Sequence, residues 1–390
     1  MNREDFNILS SNIIYFDNAA TSLKPNSVIE AMNDYYNNYP ANIHRGDYDI
    51  SLKASNKYEE AREEVAKFIN ADKDNIVFTS GTTDSLNKII FGYFNDHLTL
   101  EDEVLTTKAE HASLILPLFN TKASIKYIPL DNNYHLTVDN VIKSITPNTK
   151  VIALAYVTNI VGDIRDIKAI IKYAHEHNIL VIVDAAQAVS HIKIDVKDLD
   201  IDFLAFSAHK MLGPTGVGVL YAKKELLEDT LPIIYGGDMN ANFTSSREVT
   251  YNSLPSRLEA GTPNIAGVIG FSEAIKYVNK LNNVLEYEKD LRDYLISKLK
   301  TNPNITIYNE VSDTGIVIFN YNNIFSQDLA VYLDKYNICV RAGSHCTKLF
   351  VDELGVKNTV RISLSFYNTK DEIDKLIEVL NNPNIEKEII

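Results

Sequence analysis

Cysteine is scarce in this sequence of 390 residues, which contains only Cys339 and Cys346. Two cysteines cannot build a disulfide framework, and their spacing does not match a zinc-binding knuckle. Long apolar runs are also missing, because "VIALAYV" and "ILVIV" have the length of strands and are too short to cross a bilayer. The N-terminal "MNREDFNILS" has no apolar signal-peptide core. We therefore expect a cytoplasmic protein with no metal site and no membrane partner.

The sequence has fewer basic than acidic residues: 38 Lys and Arg against 52 Asp and Glu, which gives a formal net charge of -14. Such a balance argues against nucleic acid as a partner. Hydrophobic residues make up 45% and charged residues 23%, which are ordinary values for a globular protein. The length suits two domains.

What the sequence does contain is a series of short apolar segments that alternate with amphipathic ones. The strand-like segments are "IVFTS" (76–80), "KVIALAYV" (150–157), "ILVIVDAAQ" (179–187), "DFLAFSA" (202–208) and "VGVLYA" (217–222). Strands that are apolar on both faces, with helical connections, predict a parallel or mixed sheet covered by helices. After Pro263 long helical stretches and shorter strands follow, so we predict an α/β protein. Its large domain would span 15–262, and a smaller α+β domain would combine 1–14 with 263–390.

Polar residues follow the predicted strands, at the edge where such sheets bind ligands. Thr82 and Thr83 open a helix in "SGTTDS", which suits a phosphate cradle, although on its own this pattern is better explained as a helix cap. His111 and Asn159 also follow strands or begin helices, and each has an ordinary structural interpretation.

Two charged residues end buried strands, Asp184 after "ILVIV" and Lys210 after "FLAFSAH". A strand-end acid, a strand-end lysine and a hydroxyl-rich cradle fit pyridoxal 5′-phosphate, which needs a lysine for its Schiff base and an acid at its ring nitrogen. A buried Asp184–Lys210 ion pair is the alternative, but it explains neither the cradle nor the glycines after Lys210.

At these residues the sequence resembles a known family. "FSAHKMLGPTGVGVLY" (206–221) is similar to the lysine motif of class V aminotransferases, and among them to SufS-like group II cysteine desulfurases. Further motifs occur in the family's order: "YFDNAAT" (15–21), "NIHRG" (42–46), "VDAAQAVSH" (183–191), "RLEAGTPN" (257–264), "RAGSHC" (341–346) and "VRISLSFYNT" (360–369). The resemblance implies the pyridoxal-phosphate-dependent fold-type I, with a mostly parallel seven-stranded sheet, and a homodimer.

The resemblance also implies roles for the cofactor-binding residues. Lys210 would carry the cofactor, Asp184 would contact the pyridine nitrogen, Gln187 the ring hydroxyl, and His111 would stack on the ring as a catalytic group. The residues implied at the phosphate are Thr82, Thr83, Ser207 and His209, with Thr262 from the other subunit.

For the substrate, the resemblance implies that Asn159 and Arg361 bind the carboxylate, Arg361 through a bidentate pair. Arg341 is a second candidate, although a loop salt bridge would also explain it. Cys339 fits a buried apolar position. Cys346 follows His345 in an expected mobile loop, where a nearby Arg and His would favour the thiolate.

The implied reaction converts L-cysteine to L-alanine and leaves the sulfur on Cys346 as a persulfide. A SufU- or SufE-like carrier for iron–sulfur cluster assembly would accept it. Cys346 separates this reading from a selenocysteine lyase, a cysteine-sulfinate desulfinase or a transaminase on the same scaffold. A non-catalytic scaffold that binds a sulfur carrier would have no need of Lys210, Asp184 and Arg361.

Overall fold

The computed structural model of the chain describes residues 3–44, 46–322 and 324–389. Arg45 of the "NIHRG" motif and the first two residues of the N-terminal segment lie outside the described residues. The strands are β1 (Ile14–Tyr15), β2 (Ile76–Thr79), β3 (Glu103–Thr106), β4 (Ser124–Tyr127), β5 (Thr149–Ala155), β6 (Leu180–Asp184), β7 (Phe203–Ser207), β8 (Gly218–Ala222), β9 (Asn240–Phe243), β10 (Val249–Tyr251), β11 (Ile305–Ile307), β12 (Ile316–Tyr321), β13 (Ile338–Cys339), β14 (Arg341–Gly343) and β15 (Thr359–Ser363).

The helices cover both faces of the larger sheet and one side of the smaller one. They are α1 (Asn26–Asn38), α2 (Asp49–Phe68), α3 (Thr82–Ile89), α4 (Asn95–His97), α5 (Ala112–Leu118), α6 (Val138–Ser144), α7 (Ile167–Glu176), α8 (Lys224–Asp229), α9 (Ile265–Val278), α10 (Val284–Leu299), α11 (Ser326–Asp334), α12 (Lys348–Glu353), α13 (Lys370–Leu380) and α14 (Ile385–Glu388). A π-helical segment, Ile90–Phe94, joins α3 to α4. No helix within the described ranges is both long and apolar enough to cross a bilayer.

The large sheet has seven strands in the order β2-β8-β7-β6-β5-β3-β4. In this sheet only β8 runs antiparallel to its neighbours. The prediction of a mostly parallel sheet is therefore confirmed, and the one antiparallel strand makes the sheet mixed. Along β7 the side chains alternate between two cores, since Phe203 and Ala205 pack on one face and Leu204 and Phe206 on the other. Burial on both faces explains why the sequence of this strand is continuously apolar.

Two strands of this sheet were absent from the sequence prediction. Strand β3 has only four residues, and β4 is an edge strand whose side chains are mostly exposed. Neither carries the run of branched apolar residues that identified the central strands.

The smaller sheet, β11-β12-β15-β14, is antiparallel, and its core is formed with α10, α11 and α13. Helix α9 instead packs against α1 and α2 in the larger core, where its Phe271 is fully buried. We therefore propose that the domain division lies after Val278 rather than at residue 263. Phe6, from the N-terminal segment, also packs in the larger core.

Candidate active site

A cleft of about 730 Å³ lies between the carboxyl ends of β5–β7 and the strands β14 and β15. It brings together every site residue predicted from the sequence except Cys346 and Thr262. The predicted residues that line it are Thr82, Thr83, His111, Asn159, Asp184, Gln187, Ser207, His209, Lys210, Arg341 and Arg361. Parallel strands end at a common edge, which is why residues so far apart in sequence meet there.

Lys210 lies in a single 3₁₀ turn directly after β7. The Ala208 N–H donates to the Val217 carbonyl (3.0 Å), and the Gly213 N–H donates to the Ala208 carbonyl (2.9 Å). A Cβ at Gly213 would lie 2.9 Å from the Ala208 carbonyl oxygen, so the tight turn requires glycine there. Burial lowers the pKa of Lys210 to about 8, with Asp184 opposing the shift. The amine is therefore partly unprotonated near neutral pH.

Asp184 is the last residue of β6, and the Ala186 N–H donates to its Oδ1 (2.9 Å). Burial raises the pKa of Asp184 to about 6, while the Ala186 N–H and the charge of Lys210 act in the opposite direction. Gln187 lies nearby and donates from Nε2 to the Ala19 carbonyl (2.7 Å). A buried carboxylate at this place can hold a cationic heterocycle by charge and hydrogen bonding.

Two hydroxyl pairs lie at the N-terminus of α3. Thr82 Oγ1 is 2.6 Å from Ser207 Oγ, and Thr83 Oγ1 is 2.7 Å from Ser113 Oγ. The Thr82 N–H also donates to Ser207 Oγ (2.7 Å), and a helix N-terminus with several hydroxyls suits a phosphate. Ser113 had no role in the sequence analysis, although it lies only two residues after His111.

His111 caps the N-terminus of α5, where its Nδ1 accepts from the Ser113 N–H (3.1 Å). Burial lowers the pKa of His111 to about 3, and the charges of Lys210, Arg361 and Arg341 lower it further. The ring is thus neutral at physiological pH, and the acceptor role of Nδ1 leaves the proton on Nε2. A neutral, fixed imidazole can stack on a flat heteroaromatic ring.

A buried charge network lies next to His111 and was also missed. Glu110 accepts from Arg165 Nη1 (2.5 Å) and from the Ala155 N–H (2.7 Å) at the end of β5. Arg165 also donates from Nε to Asp163 (3.2 Å). All three side chains are at most 2% exposed, and the network fixes the strand end to the segment that carries His111.

Arg361 lies in β15 with its side chain 2% exposed. Its Nη1 donates to the Asn159 carbonyl (3.0 Å) and its Nη2 to Asp17 Oδ1 (3.2 Å). Burial lowers the pKa of Arg361 to about 10, so it stays charged at neutral pH. Asp17 lies in the quoted "YFDNAAT" motif but had no predicted role; its one sequence signal is a carboxylate directly after the apolar "IIYF".

Cys346 lies outside the cleft lining, with an exposed side chain. In the loop that carries Cys346, residues 344–347 form a turn in which the Thr347 N–H donates to the Ser344 carbonyl (2.8 Å). His345 (φ 53°) and Cys346 (φ 60°) are both left-handed, as a type I′ turn requires. The Ala112 N–H donates to the Cys346 carbonyl (2.8 Å), which fixes the turn beside the His111 segment.

The expectation that a histidine favours the Cys346 thiolate is wrong for His345. Its Nε2 lies 2.9 Å from Thr359 Oγ1 inside the small domain, and burial lowers its pKa to about 2. A neutral imidazole adds no positive charge. Cys346 does lie close enough to Lys210 and Arg361 for the charge of its thiolate to oppose the burial that lowers the pKa of both.

Thr262 lines a different cavity, of about 710 Å³, together with Lys88 and Glu259. Within one chain it is therefore not brought to the cleft that contains Lys210. Its implied contact with a phosphate remains a prediction that needs a second subunit.

The Aminotransferase class-V family model matches residues 14–376. A probable cysteine desulfurase from Halalkalibacterium halodurans is 40% identical over 383 residues, which covers 96% of this chain and 94% of that protein. Another, from Staphylococcus epidermidis, is 40% identical over 391 residues, 97% of this chain and 94% of the relative.

Solved structures agree with these relatives. The cysteine desulfurase CsdA from Escherichia coli, in an S-sulfonic acid form, superposes with a TM-score of 0.92 at 35% identity over 100% of this chain and 98% of that one. The apo cysteine desulfurase of Thermococcus onnurineus NA1 also gives 0.92 at 35% identity, covering 97% and 96%. These similarities confirm the predicted α/β fold of fold-type I.

Proposed function

The chain belongs to the class V aminotransferase family, and we propose on this basis that it is a pyridoxal-phosphate-dependent cysteine desulfurase. One observation carries the proposal: Lys210, Asp184 and Arg361 share a cleft that is also lined by His345, the residue directly before the exposed Cys346. A lysine and an acid suit the cofactor, and the buried arginine suits an amino-acid carboxylate.

The residues present fit pyridoxal phosphate. Asp184 would hold the pyridine nitrogen, Gln187 the ring hydroxyl and His111 the ring face, with Lys210 as the point of attachment. The hydroxyls of Thr82, Thr83 and Ser207 and the N-terminus of α3 form a cradle suited to its phosphate, with His209 nearby. When bound, the cofactor supplies an electron sink for charge that develops at the substrate Cα.

The chain's own residues would then orient the substrate and move its protons. Arg361 and Asn159 would hold the α-carboxylate, with Arg341 as a further cation at the same end of the cleft. With a pKa of about 8, the Lys210 amine can accept the proton from the substrate Cα at physiological pH.

Cys346 would receive the sulfur. Its thiolate attacks the substrate sulfur, a new S–S bond forms, and the Cβ–S bond breaks with its electron pair left on carbon. A proton then goes to Cβ, L-alanine leaves, and a persulfide stays on Cys346. Because the Cys346 side chain is exposed, the persulfide is open to a carrier, for which we propose a SufU- or SufE-like protein serving iron–sulfur cluster assembly.

We also propose a homodimer, in which Thr262 of each chain would contribute to the phosphate site of the other. Two features support it: Thr262 does not reach the cleft of its own chain, and large apolar side chains are exposed near it in sequence.

The test compares the wild type with Cys346→Ser, and with Cys339→Ser as the matched control. Each protein is loaded with pyridoxal phosphate and given L-cysteine and a reductant, and L-alanine and sulfide are both quantified. Cys346→Ser should keep the cofactor absorption and lose both products, since its hydroxyl is a poor nucleophile toward sulfur. Cys339→Ser should form both products in equal amounts, and full activity in Cys346→Ser would refute the proposed role.

A further inference from the structure

Asp17 lies on a backbone segment that is fixed on both sides. The Phe16 N–H donates to the Cys339 carbonyl (2.9 Å), and the Phe16 carbonyl accepts from the Ser363 N–H (2.7 Å). The Asp17 carbonyl accepts from the Ala20 N–H (3.1 Å). Since Phe16 is fully buried in the small-domain core, the fold itself sets the position of the Asp17 carboxylate.

That carboxylate stands between two guanidinium groups. Oδ1 accepts from Arg361 Nη2 at 3.2 Å, and Oδ2 is 4.0 Å from Arg341 Nη1. Arg341 and Arg361 are direct cross-strand partners on β14 and β15. Like charges in that relation repel each other, and Asp17 offsets one of the two.

The contacts of Arg361 leave N–H groups available for a ligand. Nη1 donates to the Asn159 carbonyl and Nη2 to Asp17, and each of these nitrogens carries a second hydrogen. Arg361 lines the cleft, whereas Asp17 is not among the described residues that line it. A ligand carboxylate and Asp17 can therefore contact the Arg361 guanidinium at the same time. The two cations, Arg341 and Arg361, are then balanced by two anions, Asp17 and the ligand.

We propose that Asp17 is a positioning residue for carboxylate recognition, acting by holding Arg361 in the orientation that presents it to the cleft. The inference rests on the proposed function, because it takes an amino acid as the ligand. Loss of the Asp17 charge would leave the buried Arg361 guanidinium without the carboxylate that holds it toward the cleft. Binding of ligands that carry a carboxylate would weaken, and binding of amines without one would not.

The test uses L-alanine and ethylamine, which differ by the carboxylate and lack a thiol. Each is titrated into protein loaded with pyridoxal phosphate, and the absorption change of the cofactor gives both dissociation constants. In Asp17→Asn the preference for L-alanine over ethylamine should fall about tenfold, as expected when an ion pair is reduced to a hydrogen bond with a neutral oxygen. Asp198→Asn, which removes an exposed carboxylate paired with Lys168, should leave the preference unchanged.

An unchanged preference in Asp17→Asn would overturn the inference, because the loss of a purely structural residue would weaken the binding of L-alanine and of ethylamine equally. An increased preference would also overturn it, since Asp17 would then compete with the ligand. If Asp17→Asn does not fold, Asp17→Glu keeps the charge but displaces it, and the same loss of preference is expected. A wild type that binds no pyridoxal phosphate would refute the proposed function itself, which is a separate result.

Discussion

Burial in the cleft moves the pKa of several side chains far from their ordinary values. It lowers the pKa of Lys210 to about 8 and that of His111 to about 3, and it raises that of Asp184 to about 6. At neutral pH the cleft thus holds a neutral imidazole, a partly unprotonated amine and an ionised acid. Shifts of this kind collect at sites of proton transfer, because catalytic groups must titrate near the working pH.

Asp184 makes the stability of the apoprotein depend on pH. Its pKa in the folded state, about 6, lies above the ordinary 3.8, so its contribution to stability is fully present below pH 3.8 and is lost as the pH rises through 6. For Asp184→Asn, which does not titrate, the free energy of unfolding at pH 7.5 should therefore be about 3 kcal/mol higher than for the wild type. Urea unfolding at several pH values measures this gain.

The gain should shrink toward pH 4.5, where the wild-type carboxyl is largely protonated when folded. Asp139→Asn, at an exposed carboxylate paired with Lys143, should show no comparable trend. A gain in Asp184→Asn that is the same at every pH would contradict the raised pKa.

Single residues also show the limit of sequence reasoning. Lys210 and Asp184 could be predicted because each lies at or just after the end of a buried strand, where charge is unusual. Asp17 could not, since its partner Arg361 is 344 positions away and nothing local indicates the pair. The pairing of Glu110 with Arg165 is hidden for the same reason.

At the scale of elements, two glycines determine how closely β8 approaches the phosphate cradle. A Cβ at Gly218 would lie 2.4 Å from the Gly81 Cα, closer than any real contact. Gly81 itself has φ 155° and precedes Thr82, the first residue of α3. The central strands were predictable from their apolar runs, but this close approach depends on the pairing of β2 with β8.

Gly218→Ala should therefore displace the cradle. We expect it to lower the free energy of unfolding by about 1–3 kcal/mol, the usual cost of overpacking, and to weaken binding of pyridoxal phosphate. Urea unfolding and a cofactor titration measure the two effects. Gly237→Ala is the control, because a Cβ there meets nothing within 4 Å. Equal behaviour of the two variants would mean that the approach of β8 is not critical.

At the scale of the whole molecule, the hairpin of β9 and β10 exposes apolar side chains that a single chain leaves uncovered. Phe243 is 71% exposed and Val249, its direct cross-strand partner, 47%. Tyr235, just before the hairpin, is 67% exposed, and Ile234 lines the same cavity as Thr262. Exposed apolar groups of this kind indicate an interface, in accordance with the proposed homodimer.

We predict a mass in solution of about twice the 43.9 kDa of one chain, measurable by sedimentation. Phe243→Ser should shift the equilibrium toward the monomer because it removes apolar area from the interface. Leu100→Ser, at a side chain that is 84% exposed elsewhere, should leave the dimer intact. A wild type that sediments as a monomer would contradict the proposal.

The proposed function depends above all on the transfer of sulfur from L-cysteine to Cys346. The most direct measurement is the mass of the peptide containing Cys346 after the protein, loaded with pyridoxal phosphate, has reacted with one equivalent of L-cysteine without reductant. We expect this peptide to gain the mass of one sulfur atom while one equivalent of L-alanine is released. L-Alanine formed without added sulfur on this peptide, or sulfur found on Cys339 instead, would contradict it.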